Sequence, residues 1–291
     1  MHPERTPVEA PIQLKIADAI RMQIERGDLA PGASLPTLNE LSDQWSCSLN
    51  SARGAVALLR TQGLITAGRG KAPSVRIPPR RAVRSSERHQ VEKDLALRPE
   101  AERAALGEAE TNHAMSIAEQ RFSSRYSVVA SDQDVSAALG IAVGAPVLRR
   151  QFEAVDPRTD HQLSYSVSHI PLALVDANPA LLDETNEPWP GGTQHQLLTV
   201  GVEVMTIVDE VTARMPTTVE AQRWDLPDGV PLIFCRRVSF DDAARPVEIS
   251  DAYYPADRTE LRFVTPLRPA DPDAIAAIAR EGHTSAVVTT R

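Results

Sequence analysis

Apolar residues recur every three or four positions at the amino end of the chain. Ile12, Ile16, Ala19, Ile20 and Ile24 form one stripe of a helix that Gly27 ends. After the turn DLAPGASLP, Thr37 and Glu40 have the T-x-x-E spacing in which hydroxyl and carboxylate reciprocally cap backbone N–H groups. This predicts a short helix through Leu41 to about Gln44. Beyond the break at WSC, Ser48 caps a third helix with Ala52, Ala55, Val56 and Leu59 inward and Arg53 and Arg60 outward; Gly63 ends it. Two short β-prone runs follow, LITA and PSVRI. Glycines at 68 and 70 permit a tight hairpin between them, with Arg69 and Lys71 at its tip. Three helices and a basic hairpin predict a winged helix-turn-helix.

The period changes further on. PPRRAVRSS reads as an exposed linker stiffened by Pro78 and Pro79, and the charged stretch after it as a solvated helical face. From about Arg121, short runs of alternating type are separated by turns: RYSVVA, PVLRRQFEAV, HQLSYSVSHIP, VEVMTIVDEVTAR, PLIFCRRVSF and RPVEISDAYYP. DVSAALGIAVGAPVLRRQFEAVD and EAQRWDLPDGVPLIFCRRVSFDD echo each other: both pass from a short helix through G-x-P into a strand with two adjacent arginines. This predicts a duplicated α+β unit around an antiparallel sheet. The fold class is therefore α+β, with a terminal stretch that holds one short helix.

Charge sharpens the division. The net charge is −8, yet residues 1–84 hold twelve Lys/Arg against seven Asp/Glu, and the remainder nineteen against thirty-two. No Asp or Glu occurs from Gln44 to Arg84, a window with eight cations. A basic module on an acidic body predicts a local polyanion-binding surface, since the body repels DNA elsewhere. In a winged helix-turn-helix the third helix presents its amino end to base edges in the major groove, and each phosphate neutralised releases a counterion, so binding weakens with salt.

Other chemistry is excluded or weak. Cys47 and Cys235 lie far apart and in no metal-ligand spacing, which predicts neither disulfide nor zinc site and suits a reducing cytosol. His161 and His169 share strand parity but have no carboxylate partner, so no metal site is expected. GRGKAP lacks the Walker spacing and a following helix, and no cofactor motif appears. No nucleophile–base–orienter set is visible. The first residues lack the apolar segment of a signal peptide, and no run is long enough to span a membrane.

LPTLNELSDQWSCSLNSARGAVALLRTQGLI resembles the DNA-binding domain of the GntR family of bacterial transcription regulators, over roughly residues 12–77. The resemblance implies double-stranded DNA as partner and a homodimer on a pseudo-palindromic operator. Its candidate DNA contacts are Thr37, Asn39, Leu49, Asn50, Ser51 and Arg53 on the helices, and Arg69, Gly70 and Lys71 on the wing. Many members have Arg where this chain has Asn39 and Leu49. Asn prefers adenine and Leu offers only apolar contact, so an operator with less guanine readout is expected.

The later strands, over roughly 120–265, are similar to the UTRA domain, with PVEISDAYYPADR the sharpest match. That likeness implies a chorismate-lyase-like fold and a small effector, often a phosphorylated sugar. Counting back from Asp156, the family's usual R-x-R falls on Gln151 and Glu153, and the usual glutamate of the next strand on Ser166. Arg149 shares their strand face and is the available substitute cation. The candidate ligand set is thus Arg149, Gln151, Glu153, Ser166, Glu248, Ser250 and Tyr254. Glu248 has two readings, a pocket acceptor or a partner for Arg258. Lacking R-x-R, this set suggests a neutral or partly cationic effector of unknown identity, or none.

The expected organisation is a DNA-binding domain at 8–78, a linker at 79–88, an effector-binding and dimerisation domain at 89–265 and a tail at 266–291. The expected function is a cytoplasmic, non-enzymatic repressor that needs no cofactor and is released by its effector. The alternatives are a constitutive repressor without a ligand and a lyase-like enzyme.

Overall fold

A computed structural model describes residues 10–66, 72–108, 120–276 and 278. Helix α1 spans Ile12–Arg26, and Gly27 closes it in the left-handed region at φ 83°. Its buried residues are Ile16, Ala17 and Ile20. Ala17 rather than Ala19 completes the stripe, because the buried face also meets the helices that follow. Helix α2 spans Leu38–Gln44 and begins with the complete Thr37/Glu40 capping box. The turn after it passes through Ser46 at φ 48°. Helix α3 spans Leu49–Thr61, with the Ser48 hydroxyl accepting from the Ser51 N–H at 3.1 Å. Ile16, Ile20, Leu41, Ala52, Ala55 and Leu59 form the core of this module.

The wing begins as β1, Ile65–Thr66, antiparallel to β2, Ser74–Val75. Ser34 bridges to Ser74 and adds a third edge. The tip residues Arg69, Gly70 and Lys71 lie outside the described residues.

Within the stretch 79–88, which local sequence reads as linker, Ala82–Ser85 form β3. This strand pairs in parallel with Thr259–Arg262, a partner too distant in the chain for local pattern to reveal. Helices α4, Arg88–Ala96, and α5, Glu100–Glu108, follow.

The remaining chain builds a six-stranded antiparallel sheet. Its first unit is β4 (Arg121–Ala130), α6 (Gln133–Leu139), β5 (Pro146–Asp156) and β6 (His161–Pro171). After α7 (Leu172–Val175) and α8 (Gly192–Leu198), the second unit repeats the plan with β7 (Thr206–Arg214), α9 (Thr218–Arg223), β8 (Leu232–Phe240) and β9 (Pro246–Pro255). The strand order is β4-β5-β6-β9-β8-β7, so the units meet at β6 and β9 as mirror-ordered halves. This is the duplication expected from the echoing segments. Strand β10, Thr259–Arg262, is the partner of β3.

Because side chains alternate along strands, the sheet has two distinct faces. Leu148 and Ile170 pack on one side with Val175 and Leu197 of α7 and α8. Val147 and Ile249 pack on the other with Val135 and Leu139 of α6.

The amino-terminal module touches the second unit directly. Arg76, just past β2, pairs with Asp257, which also accepts from Arg258 at 2.8 Å. Arg60 of α3 faces outward as expected, but reaches Asp228 at 3.2 Å. A Cβ built on Gly229 would meet Thr61 O at 2.3 Å and Gly63 N at 2.6 Å, so the two backbones abut there.

Candidate nucleic-acid interface and ligand cavity

The amino ends of α2 and α3 present Asn39, Leu49, Asn50 and Arg53 to solvent. Leu49 is 45% exposed and so stands free to make an apolar contact. Arg53 donates to Asn50 Oδ1 at 2.9 Å, which orients both side chains on the same helix face. The Thr37 hydroxyl is committed to its cap, accepting from Glu40 N–H at 3.2 Å and donating to the Glu40 carboxylate at 2.9 Å. The Thr37 backbone and side-chain hydrogen bonds hold the Glu40 carboxyl below its usual range. Ser51 likewise shares a hydrogen bond with Ser48, Oγ to Oγ at 3.0 Å. Six of the nine sequence-derived contacts therefore cluster at two helix starts, and the three wing residues fall outside the described residues.

A cavity of about 330 Å³ opens on the α4 side of the sheet. Crossing the strands, its floor runs from Phe122 on β4 through Phe152 and Ala154 on β5, Ser166 on β6 and Ser250 and Tyr254 on β9 to Arg237 on β8. Arg84 of β3, Arg88 and Glu92 of α4, and Glu187 beside α8 complete the wall.

Three of the sequence-derived ligand residues, Ser166, Ser250 and Tyr254, line this cavity. Glu248 borders a smaller adjoining space of about 160 Å³. Its carboxylate is taken by Arg150 at 2.6 Å, not by Arg258. Arg150 is 2% exposed and also donates to Ser168 Oγ at 2.9 Å and to Gln196 Oε1.

Arg149, Gln151 and Glu153 sit on the opposite face. Arg149 donates to Gln151 at 3.0 Å, Gln151 to the Tyr165 hydroxyl at 2.8 Å, and Glu153 pairs with Arg223 of α9. Strand alternation explains this: Arg150, Phe152 and Ala154 share the cavity's face of β5, and of these Phe152 and Ala154 line it. The inference of a neutral or cationic ligand rested on residues that do not face the cavity.

What the sequence reading missed is a cationic cluster. Arg84 stacks its guanidinium 4.4 Å from the centre of the Tyr254 ring, and its buried Nε has no hydrogen-bond partner among the described residues. Burial first, and repulsion from Arg88 and Arg237 after it, lowers the Arg84 pKa despite the opposing influence of Tyr254. Arg237 is held bidentately by Asp209, at 2.7 and 2.9 Å. Burial opposes ionisation of Asp209, but the His89 ring, whose Nε2 lies 3.4 Å away, and the bidentate Arg237 outweigh it and hold the carboxyl far below its usual range. The signal for Arg84 was present in the acid-free window, but its position in an apparent linker concealed it. The arrangement suits an organic anion; no group of metal-ligating side chains occurs among the described residues.

Comparison with known proteins agrees with both halves. Residues 12–75 match the bacterial regulatory proteins of the gntR family, and residues 126–260 match the UTRA domain. The chain is 24% identical over 254 residues to an uncharacterised HTH-type transcriptional regulator of Rhizobium meliloti (strain 1021), covering 86% of this chain and 93% of that protein. It is 27% identical over 232 residues to an uncharacterised HTH-type transcriptional regulator of Streptomyces coelicolor, covering 76% and 80%. A crystal structure assigned to the GntR family of transcriptional regulators superposes with a TM-score of 0.65 at 24% identity, over 89% of this chain and 98% of that one, a likeness of fold.

Proposed function

We propose that this chain, which belongs to the GntR-family transcriptional regulators carrying a UTRA domain, is a cytoplasmic repressor that leaves its operator when a small molecule fills the cavity. It acts as a homodimer on a pseudo-palindromic site. Asn39, Leu49, Asn50 and Arg53 read bases, Thr37 and Ser51 fix the helix starts against phosphates, and Arg69, Gly70 and Lys71 form the wing contact. No helix among the described residues is long and apolar enough to cross a membrane.

One observation carries the regulatory part. The strand that continues out of the DNA-binding module, β3, supplies Arg84 to the cavity wall. A ligand drawing on Arg84 therefore acts on the segment that holds the module to the body. Regulation follows if the ligand binds one arrangement of the paired modules better than the other. The Arg76–Asp257 pair and the Gly63–Gly229 contact are what a rearrangement has to change.

Footprinting of the full chain on fragments of its own genome, at several salt concentrations, tests the DNA half. A protected pseudo-palindrome with steep salt dependence is expected, Arg53→Ala should relax base preference, and Lys71→Ala should reduce the salt slope by about one. Absence of preference for any duplex in dilute buffer would end this reading.

A further inference from the structure

We propose that the cavity's ligand is an aryl-alkanoate, a monocarboxylate whose aromatic group is separated from its charge by a short chain, with the carboxylate held by Arg84 and Arg88. This rests on the reading of the cavity as the effector site.

Charge sets the ionic class. Arg84, Arg88 and Arg237 line the cavity with Glu92 and Glu187, so that with Asp209 on Arg237 the site is formally balanced and any preference for an anion rests on the two arginines that lack a carboxylate. Arg237 is already occupied by Asp209. Among the described residues neither Arg84 nor Arg88 forms an ion pair, and Arg84 Nε is buried without an acceptor. A cation with a buried, unmet donor is costly, and a single carboxylate relieves it. A phosphate dianion brings a second negative charge toward the two glutamates on the wall, Glu92 and Glu187.

Geometry sets the head group. The Arg84 guanidinium carbon lies 4.4 Å over the centre of the Tyr254 ring, which covers one side of the group and leaves its in-plane N–H donors for a partner. A carboxylate offers two coplanar acceptors to such donors, whereas a phosphoryl group is tetrahedral.

The opposite end of the cavity sets the tail. Phe122 and Phe152 stack with their centres 5.7 Å apart, and Ala154 and Ala252 keep the floor between them and Tyr254 low. Phe152 stands on β5 and Tyr254 on β9, two strands away, which is about 10 Å. The apolar group and the charge are therefore separated, and a ring bonded directly to its carboxylate is too short to reach both.

The test is calorimetry and thermal melting of the full chain with benzoate, 3-phenylpropionate, 4-phenylbutyrate, 4-phenylbutyramide and glucose 6-phosphate. The longer carboxylates should bind and raise the melting temperature, with benzoate weaker and the amide at least about tenfold weaker than its acid. Arg84→Gln should lose roughly tenfold in carboxylate affinity while the unliganded protein keeps its melting temperature. Arg88→Gln should weaken the same ligands, and decides the matter if the Arg84 variant does not fold. The proposal is overturned if no carboxylate binds, if acid and amide bind equally, if neither variant changes affinity, or if the sugar phosphate binds most tightly. Operator release separates the two levels. Release by glucose 6-phosphate alone removes the ligand class and leaves the effector reading. Arg84-dependent binding of 4-phenylbutyrate without release does the reverse.

Discussion

Arg150 on β5 and Arg237 on β8 are each the second arginine of an adjacent pair, at matching places in the two β-α-β-β units, but their surroundings differ. Arg150 is sealed beneath α8, with Glu248, Ser168, Thr193 and Gln196 accepting its donors. Arg237 has one carboxylate, Asp209, and stands beside Arg84 and Arg88 at an open cavity. The helix-to-strand glycines diverge in the same sense. A Cβ on Gly144 meets nothing within 4 Å, whereas one on Gly229 runs into the DNA-binding module. The first unit has closed its charge inside as scaffold, and the second carries the cavity's Arg237 and the module contacts. Duplication supplies two copies of one frame: both contribute to the cavity floor, but the contacts with the amino-terminal module fall on the second copy alone.

The largest expected effect tests that division at the two arginines. Glu248→Ala leaves Arg150 buried without its charge partner, and should destabilise the chain by about 3–5 kcal/mol in urea unfolding. Asp209→Ala leaves Arg237 beside a cavity that water enters, and should cost about 1–2 kcal/mol. Equal losses would mean that the two sites are equally closed, and the comparison would fail.

The next contrast lies at the two glycines. Both occupy the left-handed region, Gly144 at φ 84° and Gly229 at φ 77°, so alanine strains either by about 1–2 kcal/mol. Only at Gly229 does the new methyl meet backbone that cannot swing away, Thr61 O and Gly63 N. Gly144→Ala should therefore lower the melting temperature and leave operator affinity unchanged. Gly229→Ala should lower it further and alter operator affinity, since it displaces the end of α3. Equal operator affinity in the two variants would show that the docking seen here plays no part in DNA binding.

The amino-terminal module was legible almost residue by residue, because its signals are local. The Thr37/Glu40 box, the Ser48 cap and Gly27 each act within four residues, and each forms as the spacing predicts. In the body, strands and duplication were legible from alternation and echo. Which face held the cavity was not. Gln151 and Glu153 were placed by counting along one strand, and period-two alternation turns an error of one residue into the opposite face of the sheet. Arg84 was unreadable for a different reason: β3 is defined only by its pairing with β10, 177 residues later (Ala82 to Thr259). The Arg150–Glu248 pair likewise joins the two units, and no local pattern distinguishes it from the Glu248–Arg258 alternative.

The smallest effect concerns pH and again sets one unit against the other. Asp156 at the end of β5 and Asp257 just past β9 are both carboxylates held below their usual range. For Asp156 the main cause is the hydrogen bond from Arg158, two residues on in the same turn. For Asp257 burial pushes the other way and is outweighed by Arg258 and by Arg76 of the DNA-binding module. A carboxyl lowered in the folded state stabilises fully above its unfolded value, near pH 4, and loses that contribution as pH falls toward the lowered value. Arg76→Ala should therefore lower the melting temperature at pH 7, with the gap from the parent closing only below about pH 4 and constant above about pH 5. Arg158→Ala, which removes a pair whose arginine is 62% exposed, should shift stability by only a few tenths of a kcal/mol at any pH. A gap for Arg76→Ala that stayed open into acid would show that the arginine holds the module by packing, so that the tie between module and second unit is steric like Gly229 rather than ionic.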